Sequence, residues 1–379
     1  MPCGRMVMPR AARSEPALHE AAMPSLPSRS PAAPVGRRAL LRAFLALGLL
    51  PIAARFAHAA DMPDIRFFRI GTGATSGTYF PLGSEMAGML SSPPGARDCT
   101  HGGSCGVPGV IAVTQATQGS VENVGAVFKG TLESALCQAD VAAWAYGGTN
   151  FFDKQAPMTS LRALANLYSE SVHIIVRADS PIKSLKDLKG KRVSMGEPES
   201  GTLADARLVL SAAGINEKEL KPNFTKLAVA CDGLRDGSVD AVFQIAGYPV
   251  PAITELASAE PIRLLSVPEE TTTKLRKKFP FFTQDTIPAG AYPGISEEAA
   301  TVGIGAEWIT TTNLEPDLAY LLVKALWNAN SRRILDGGHP IGKRIALAHA
   351  IDGLALPLHP GAERFYREAG LDLDAARPG

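Results

Sequence analysis

The chain has 379 residues, 46% hydrophobic and 20% charged, with a formal net charge of +1. That apolar share excludes disorder for most of it, and the length suffices for a large core or two lobes. Eight arginines and only two acids (Glu15, Glu20) fall in residues 1–59, leaving 30 basic against 35 acidic side chains, a net of −5. A mildly acidic body without a basic, aromatic-laced stripe excludes the usual electrostatic footing for nucleic acid.

Residues 1–59 read as a leader. Arg37-Arg38 precede an apolar run over 43–54, short of the ~20 residues a membrane span needs. Ala57-His58-Ala59 then offers small residues for a cleavage before Ala60. The mature protein is therefore expected in the periplasm; Gly36 stands where a twin-arginine signal usually has Ser or Thr.

Beyond the leader, strand and helix patterns alternate. Residues 65–70 read as a strand, 79–90 as a helix, 111–114 as a strand, 120–129 as a helix and 135–141 as a strand. Residues 161–167 and 172–176 read as a pair of strands, and 193–196 as another. A helix over 203–213 ends at Gly214; 224–229, 241–245 and 262–267 read as strands, and 315–330 as a helix. Such alternation predicts an α/β fold with a mostly parallel sheet.

Cys99 and Cys105 lie in a polar, glycine-rich stretch, 97–106, and read as a local disulfide suited to an oxidising compartment. A metal site using Cys99, His101 and Cys105 would lack a fourth ligand; two free thiols are the remaining alternative. Cys137 and Cys231 read as buried small hydrophobes.

Two loops share a character. Gly71-Thr72-Gly73-Ala74-Thr75-Ser76-Gly77-Thr78 and Gly196-Glu197-Pro198-Glu199-Ser200-Gly201-Thr202 each follow a strand and open a helix. Helix N-termini carry unpaired N–H groups and positive dipole, so both loops suit an anion such as a carboxylate. The first is not a phosphate loop: no Lys follows its last Gly, and no acid stands about twenty residues on at the end of a second strand as a dinucleotide fingerprint requires. Catalytic constellations are missing. No Gly-x-Ser-x-Gly elbow surrounds Ser76 or Ser200, and His173, in an apolar strand, reads as a satisfied core residue rather than a base. No enzyme activity is expected. Glu133 and Glu199 read as solvated charges; Tyr79, Trp144 and Tyr146 could wall a ligand, with Trp144 equally readable as core.

Gly71-Thr72-Gly73-x-x-Ser76-Gly77-Thr78-Tyr79-Phe80-Pro81-Leu82-Gly83 resembles the opening of TAXI-type receptors of TRAP transporters. The resemblance continues in order through Gly119-Ser120-Val121-Glu122-Asn123, Gln138-Ala139-Asp140, Leu185-Lys186-Asp187-Leu188-Lys189-Gly190, Asp236-Gly237-Ser238-Val239-Asp240 and His359-Pro360-Gly361. It implies a two-lobe, periplasmic-binding-protein-like (type II) α/β fold with a hinged ligand cleft. On that pattern the leader is followed by a first lobe over 60–176, a second over 177–290, and a return to the first with C-terminal helices over 291–379. The implied function is capture of a small carboxylated solute, glutamate-like or dicarboxylate, for a membrane-embedded TRAP permease, without a cofactor. A ligand-sensing protein of the same fold, presenting solute to a signalling partner, is the alternative. The ligand contacts carried over are Thr75, Ser76, Gly77, Thr78, Tyr79, Ser120, Asn123, Gln138, Asp140, Ser200, Gly201 and Thr202. Asp140 could accept a ligand amine. Ala139 replaces the Ser usual between Gln and Asp, and residues 91–110 are longer than the usual connection.

Overall fold

In the computed structural model, residues 64–373 are described, and the expected leader lies outside them. Strand β1 (Arg66–Gly71) buries Phe68 and Ile70 and delivers the chain into α1 (Tyr79–Leu90). That helix buries Leu82, Met86, Met89 and Leu90, the helical period of one apolar face. Two short strands, β2 (Ser91–Ser92) and β3 (Val107–Pro108), pair in parallel and frame the cysteine loop. Cys99 and Cys105 are joined there as a disulfide, their Cα atoms 4.6 Å apart, while Cys137 and Cys231 are free and buried.

Strand β4 (Val110–Gln115) runs parallel to β1 and leads to α2 (Ser120–Phe128). Then come β5 (Ser134–Gln138) and α3 (Ala139–Gly147). The strand expected over 135–141 thus stops at Gln138. Every residue from Ser134 to Ala142 is buried, polar Gln138 and Asp140 included, so the change of period left no mark; Gly148, at φ 61°, closes the helix. The two strands expected at 161–167 and 172–176 are one, β6 (Leu161–Arg177). Its polar middle, Ser169-Glu170-Ser171, looks like a turn but is held in register by neighbours on the sheet.

The chain continues through β7 (Arg192–Ser194), α4 (Gly201–Ala212), β8 (Lys221–Asn223) and α5 (Leu227–Asp236). The strand expected over 224–229 is therefore absent: Leu227, Ala230, Cys231 and Leu234 are buried at helical spacing, and that face overrides the local β-propensity. Next are β9 (Ala241–Ala246), α6 (Pro251–Ala259), β10 (Ile262–Leu264), α7 (Glu269–Lys278), β11 (Thr283–Ile287) and β12 (Ala299–Thr311). The helix expected over 315–330 is two, α8 (Pro316–Leu326) and α9 (Ala329–Gly337), because the Asn328 side chain accepts from Ser331 N at 2.9 Å and starts a new cap. Finally α10 (Pro360–Glu368) packs on α8.

The strands form one mixed sheet of order β4-β1-β5-β12-β6-β9-β7-β8, with β10 on β6 and β11 on β12. One wing, β4-β1-β5, is parallel, as is the other, β9-β7-β8. The long strands β6 and β12 run antiparallel between them. The expected α/β class is what the chain adopts; the sheet is less parallel than expected because these two strands cross the centre. Trp308 on β12 is fully buried and meets Phe68 edge-on at 6.4 Å. Burying a large apolar side chain contributes ~1.5–3 kcal/mol. No helix among the described residues is long and apolar enough to cross a membrane.

Candidate functional site

In each wing, helices begin at the carboxyl ends of parallel strands, so their N-termini gather along one edge of the sheet. Helices α1 and α2 follow β1 and β4 in the first wing; α4 and α5 follow β7 and β8 in the second. Between them lies a cavity of about 70 Å³ lined by Gly77, Thr78, Tyr79, Ser120 and Gln138 from the first wing and Ser200, Gly201 and Thr202 from the second. A single water needs ~10–15 Å³ on this measure, so there is room for a small solute.

The second loop is a cap. Ser200 Oγ accepts from Leu203 N at 3.1 Å and donates to Glu197 O at 2.7 Å. Gly196, at φ 90°, makes the turn before it. Gly201 is pressed against the first wing: a Cβ there would sit 1.3 Å from Gln138 Oε1 and 3.0 Å from Ser120 Oγ. Ser120 in turn accepts from Gln138 N at 3.1 Å and donates to Gln138 Oε1 at 3.3 Å.

The first loop is a clasp. Thr78 Oγ1 makes no cap; it donates to Gly247 O at 2.6 Å, in the second wing. Ser76 O accepts from Ala252 N at 3.2 Å. Four of the expected contacts therefore do not line the cavity. Thr75 is exposed and Ser76 faces α6. Asn123 Nδ2 donates to Thr72 O at 2.6 Å and Leu136 O at 2.8 Å, tying β1 to β5. Asp140 is fully buried behind the cavity wall, its Oδ1 accepting from Val141 N at 2.7 Å.

Sequence reasoning missed Glu170, Glu197, Gln118, Thr225 and Gln244, all of which line the cavity. Glu170 gave no signal in the sequence, because it sits in the polar Ser169-Glu170-Ser171 stretch that separates the two strands expected there. Its carboxyl is pushed well above the usual range by burial, reinforced by the charge of Asp140. Glu197 is raised by burial as well. Among the described residues no Lys or Arg lines the cavity. The Tyr79 hydroxyl is buried without a close hydrogen-bond partner and lies beside Glu170 and Ser120.

Other candidates resolve into structure. Glu133, expected as a solvated charge, receives Arg69 N at 2.7 Å and the Arg69 guanidinium at 2.5 Å. Trp144 packs against Phe151 and Phe279, with ring centroids 5.8 and 5.9 Å away. His173 is fully buried. Tyr292 Oη accepts from Val250 N at 3.1 Å and so donates to His173 Nε2 at 2.8 Å, leaving Nδ1–H for Ser171 O at 2.9 Å. Burial lowers its pKa to about 4. Among the described residues no group of three or more His, Cys, Asp and Glu is placed to hold a metal ion.

Comparison with solved structures finds distant likeness to transport receptors. The periplasmic aliphatic sulphonate binding protein SsuA from Escherichia coli is 13% identical, with TM-score 0.39, covering 82% of this chain and 79% of its own. The ligand binding component of an ABC-type import system from Staphylococcus aureus is 10% identical, TM-score 0.44, covering 83% and 97%. The binding protein component of an ABC phosphonate transporter from Pseudomonas aeruginosa is 12% identical, TM-score 0.42, covering 72% and 79%. The sequence itself matches the NMT1-like family over residues 70–370, a span holding both loops and every cavity-lining residue. This chain belongs to the NMT1-like family.

Proposed function

We propose that the protein is an extracytoplasmic solute receptor that closes over a small carboxylated solute and hands it to a membrane permease of the TRAP type. The observation that carries this reading is the cavity itself, built where helix N-termini from both wings converge. Those N-termini favour a carboxylate without a cationic side chain. Thr202 adds a hydroxyl whose proton is not committed, since its Oγ1 only accepts from Ile245 N, and the buried Tyr79 hydroxyl lies beside Glu170 and Ser120.

The lining acids refine the choice between a glutamate-like amino acid and a dicarboxylate. A second ligand carboxylate would meet Glu170 or Glu197 with no Lys or Arg lining to offset it, whereas a ligand ammonium would draw Glu170 into its ionised form. The amino acid is favoured. Closure would follow from the ligand touching both wings, since contacts made only in the closed form shift the equilibrium toward it. The site needs no bond chemistry.

A thermal-shift screen of residues 60–379, unfolded and refolded to strip carried-over ligand, tests this. L-glutamate, L-glutamine, succinate, 2-oxoglutarate and aromatic acids form the panel. A true ligand at about a hundred times its Kd stabilises by ~2.7 kcal/mol. The expected result is a hit among the amino acids that is lost in Glu170→Gln. A dicarboxylate hit indifferent to that substitution would overturn the amino-acid choice, and silence of the whole panel would overturn the carboxylate class.

A further inference from the structure

We propose that closing the cleft takes up one proton, held between Asp140 and Asp205, so that acidity tightens solute capture; this rests on the receptor reading above. The two carboxyls belong to opposite wings. Asp140 lies in the first turn of α3, behind β5, and Asp205 in the second turn of α4, behind β7. The seam they occupy is closed by Gln138 Nε2 donating to Asp205 Oδ2 at 2.9 Å and by Glu122 N donating to Glu199 O at 3.1 Å.

Both side chains are fully buried. Val141 N–H serves Asp140 Oδ1 and the Gln138 amide serves Asp205 Oδ2, which leaves Asp140 Oδ2 and Asp205 Oδ1 with no donor. Each aspartate acts on the other across the seam. Two buried carboxylates, each with an oxygen that no donor reaches, are prohibitive as a pair of negative charges, so the closed seam holds a proton on one of them.

The surroundings do not supply a cation. Glu170 on β6, Glu307 on β12 and Cys137 on β5 are the titratable groups that feel the pair. Tyr79 and Tyr168 lie around Glu170, and the charge of Arg344 acts on Tyr168. Burial raises both aspartates, with the charge of Asp140 adding to the shift of Asp205. Parting the wings would admit water to both carboxyls, return them to the ordinary range near ~4, and release the proton to solvent. Closed, protonated protein therefore exchanges with open protein plus one free proton. Between the open-state and closed-state pKa values, closure then weakens by up to about tenfold per pH unit.

Spin labels at Lys129→Cys and Lys218→Cys, exposed positions on opposite wings, report the opening by pulsed dipolar spectroscopy on the ligand-free protein. The distance is expected to be short at pH 5.5 and to lengthen toward pH 8.5. Asp205→Asn donates to Asp140 without titrating, so its distance should stay short throughout, and Asp140→Asn should behave alike. A wild-type distance that ignores pH, or an Asp205→Asn protein that keeps the wild-type response, would overturn the proposal. Calorimetric titration with L-glutamate adds a second arm, read as a ratio so that ionisation of Glu170 is common to both proteins: wild-type affinity relative to that of Asp205→Asn is expected to fall by up to about tenfold per pH unit. A ratio independent of pH would sink the proton linkage while the receptor stands. Absence of L-glutamate binding with a distance that follows pH would support the linkage and count only against the proposed solute.

Discussion

The triplet Ser-Gly-Thr occurs at 76–78 and again at 200–202, each time between a strand and a helix, yet the two copies do different work on opposite edges of the cleft. At the first, the hydroxyl of Thr78 and the carbonyl of Ser76 reach across to Gly247 and Ala252. Those bonds are neutral and indifferent to pH. At the second, Ser200 caps its own helix and Gly201 is pressed on Gln138, which in turn holds Asp205. That edge carries titratable groups. Identical local chemistry was put to use as a clasp in one wing and as a close-packed cap in the other, and what differs is the neighbour each loop meets.

The glycines offer the sharpest way to break this comparison. Gly201→Ala would drive a Cβ into Gln138 and displace it from Asp205; overpacking of this kind costs about 3 kcal/mol at its upper range, readable by urea denaturation. Stability against pH separates the edges next. Raised carboxyls, Glu307 among them at about 8, keep in the fold a proton that the unfolded chain releases, so their contribution is complete at low pH and is lost as pH rises through the folded value. His173, lowered to about 4, acts in the opposite sense, losing stability as pH falls from ~6.5 toward 4. Wild-type stability should therefore decline from about pH 6.5 to 8 by up to about 1.4 kcal/mol per pH unit for each such proton. Glu307→Gln should flatten that slope, and an unchanged slope would refute the assignment.

Thr78→Val removes the clasp and leaves the buried bond to Gly247 O unmade, an expected loss of about 2 kcal/mol. It should lower the whole pH curve without tilting it, and a tilt would mean that the neutral edge is coupled to the acidic one. Ser200→Ala removes a helix cap and should cost about 1 kcal/mol. Gly77→Ala is the control: its Cβ would meet only Ala74 O at 3.4 Å, and a change within about 0.5 kcal/mol is expected. A loss as large as that of Gly201→Ala would erase the distinction between the two loops.

Much of this was legible from composition, periodicity and spacing alone. The helix over 79–90, the glycine-rich loops at helix starts, the disulfide of Cys99 with Cys105 and the core role of His173 follow from short-range rules: apolar period, orphan N–H groups, and a polar setting for paired cysteines. Eight of the twelve expected contact residues line the cavity, because strand-loop-helix units put their helix N-termini on one edge whatever the tertiary detail. Tertiary structure alone decided the rest. It ran residues 161–177 as one strand through a stretch that looks like a turn, since sheet neighbours satisfy that backbone. It turned 224–229 from strand toward helix, since burial of one face outweighs local preference. It also assigned Asn123 to fastening β1 to β5, set Glu170 against the cavity, and brought Asp140 and Asp205, 65 residues apart in sequence, into one dry seam. Local sequence shows which groups a segment offers, but the partners that set their charge and role come from distant parts of the chain and are met only in the fold.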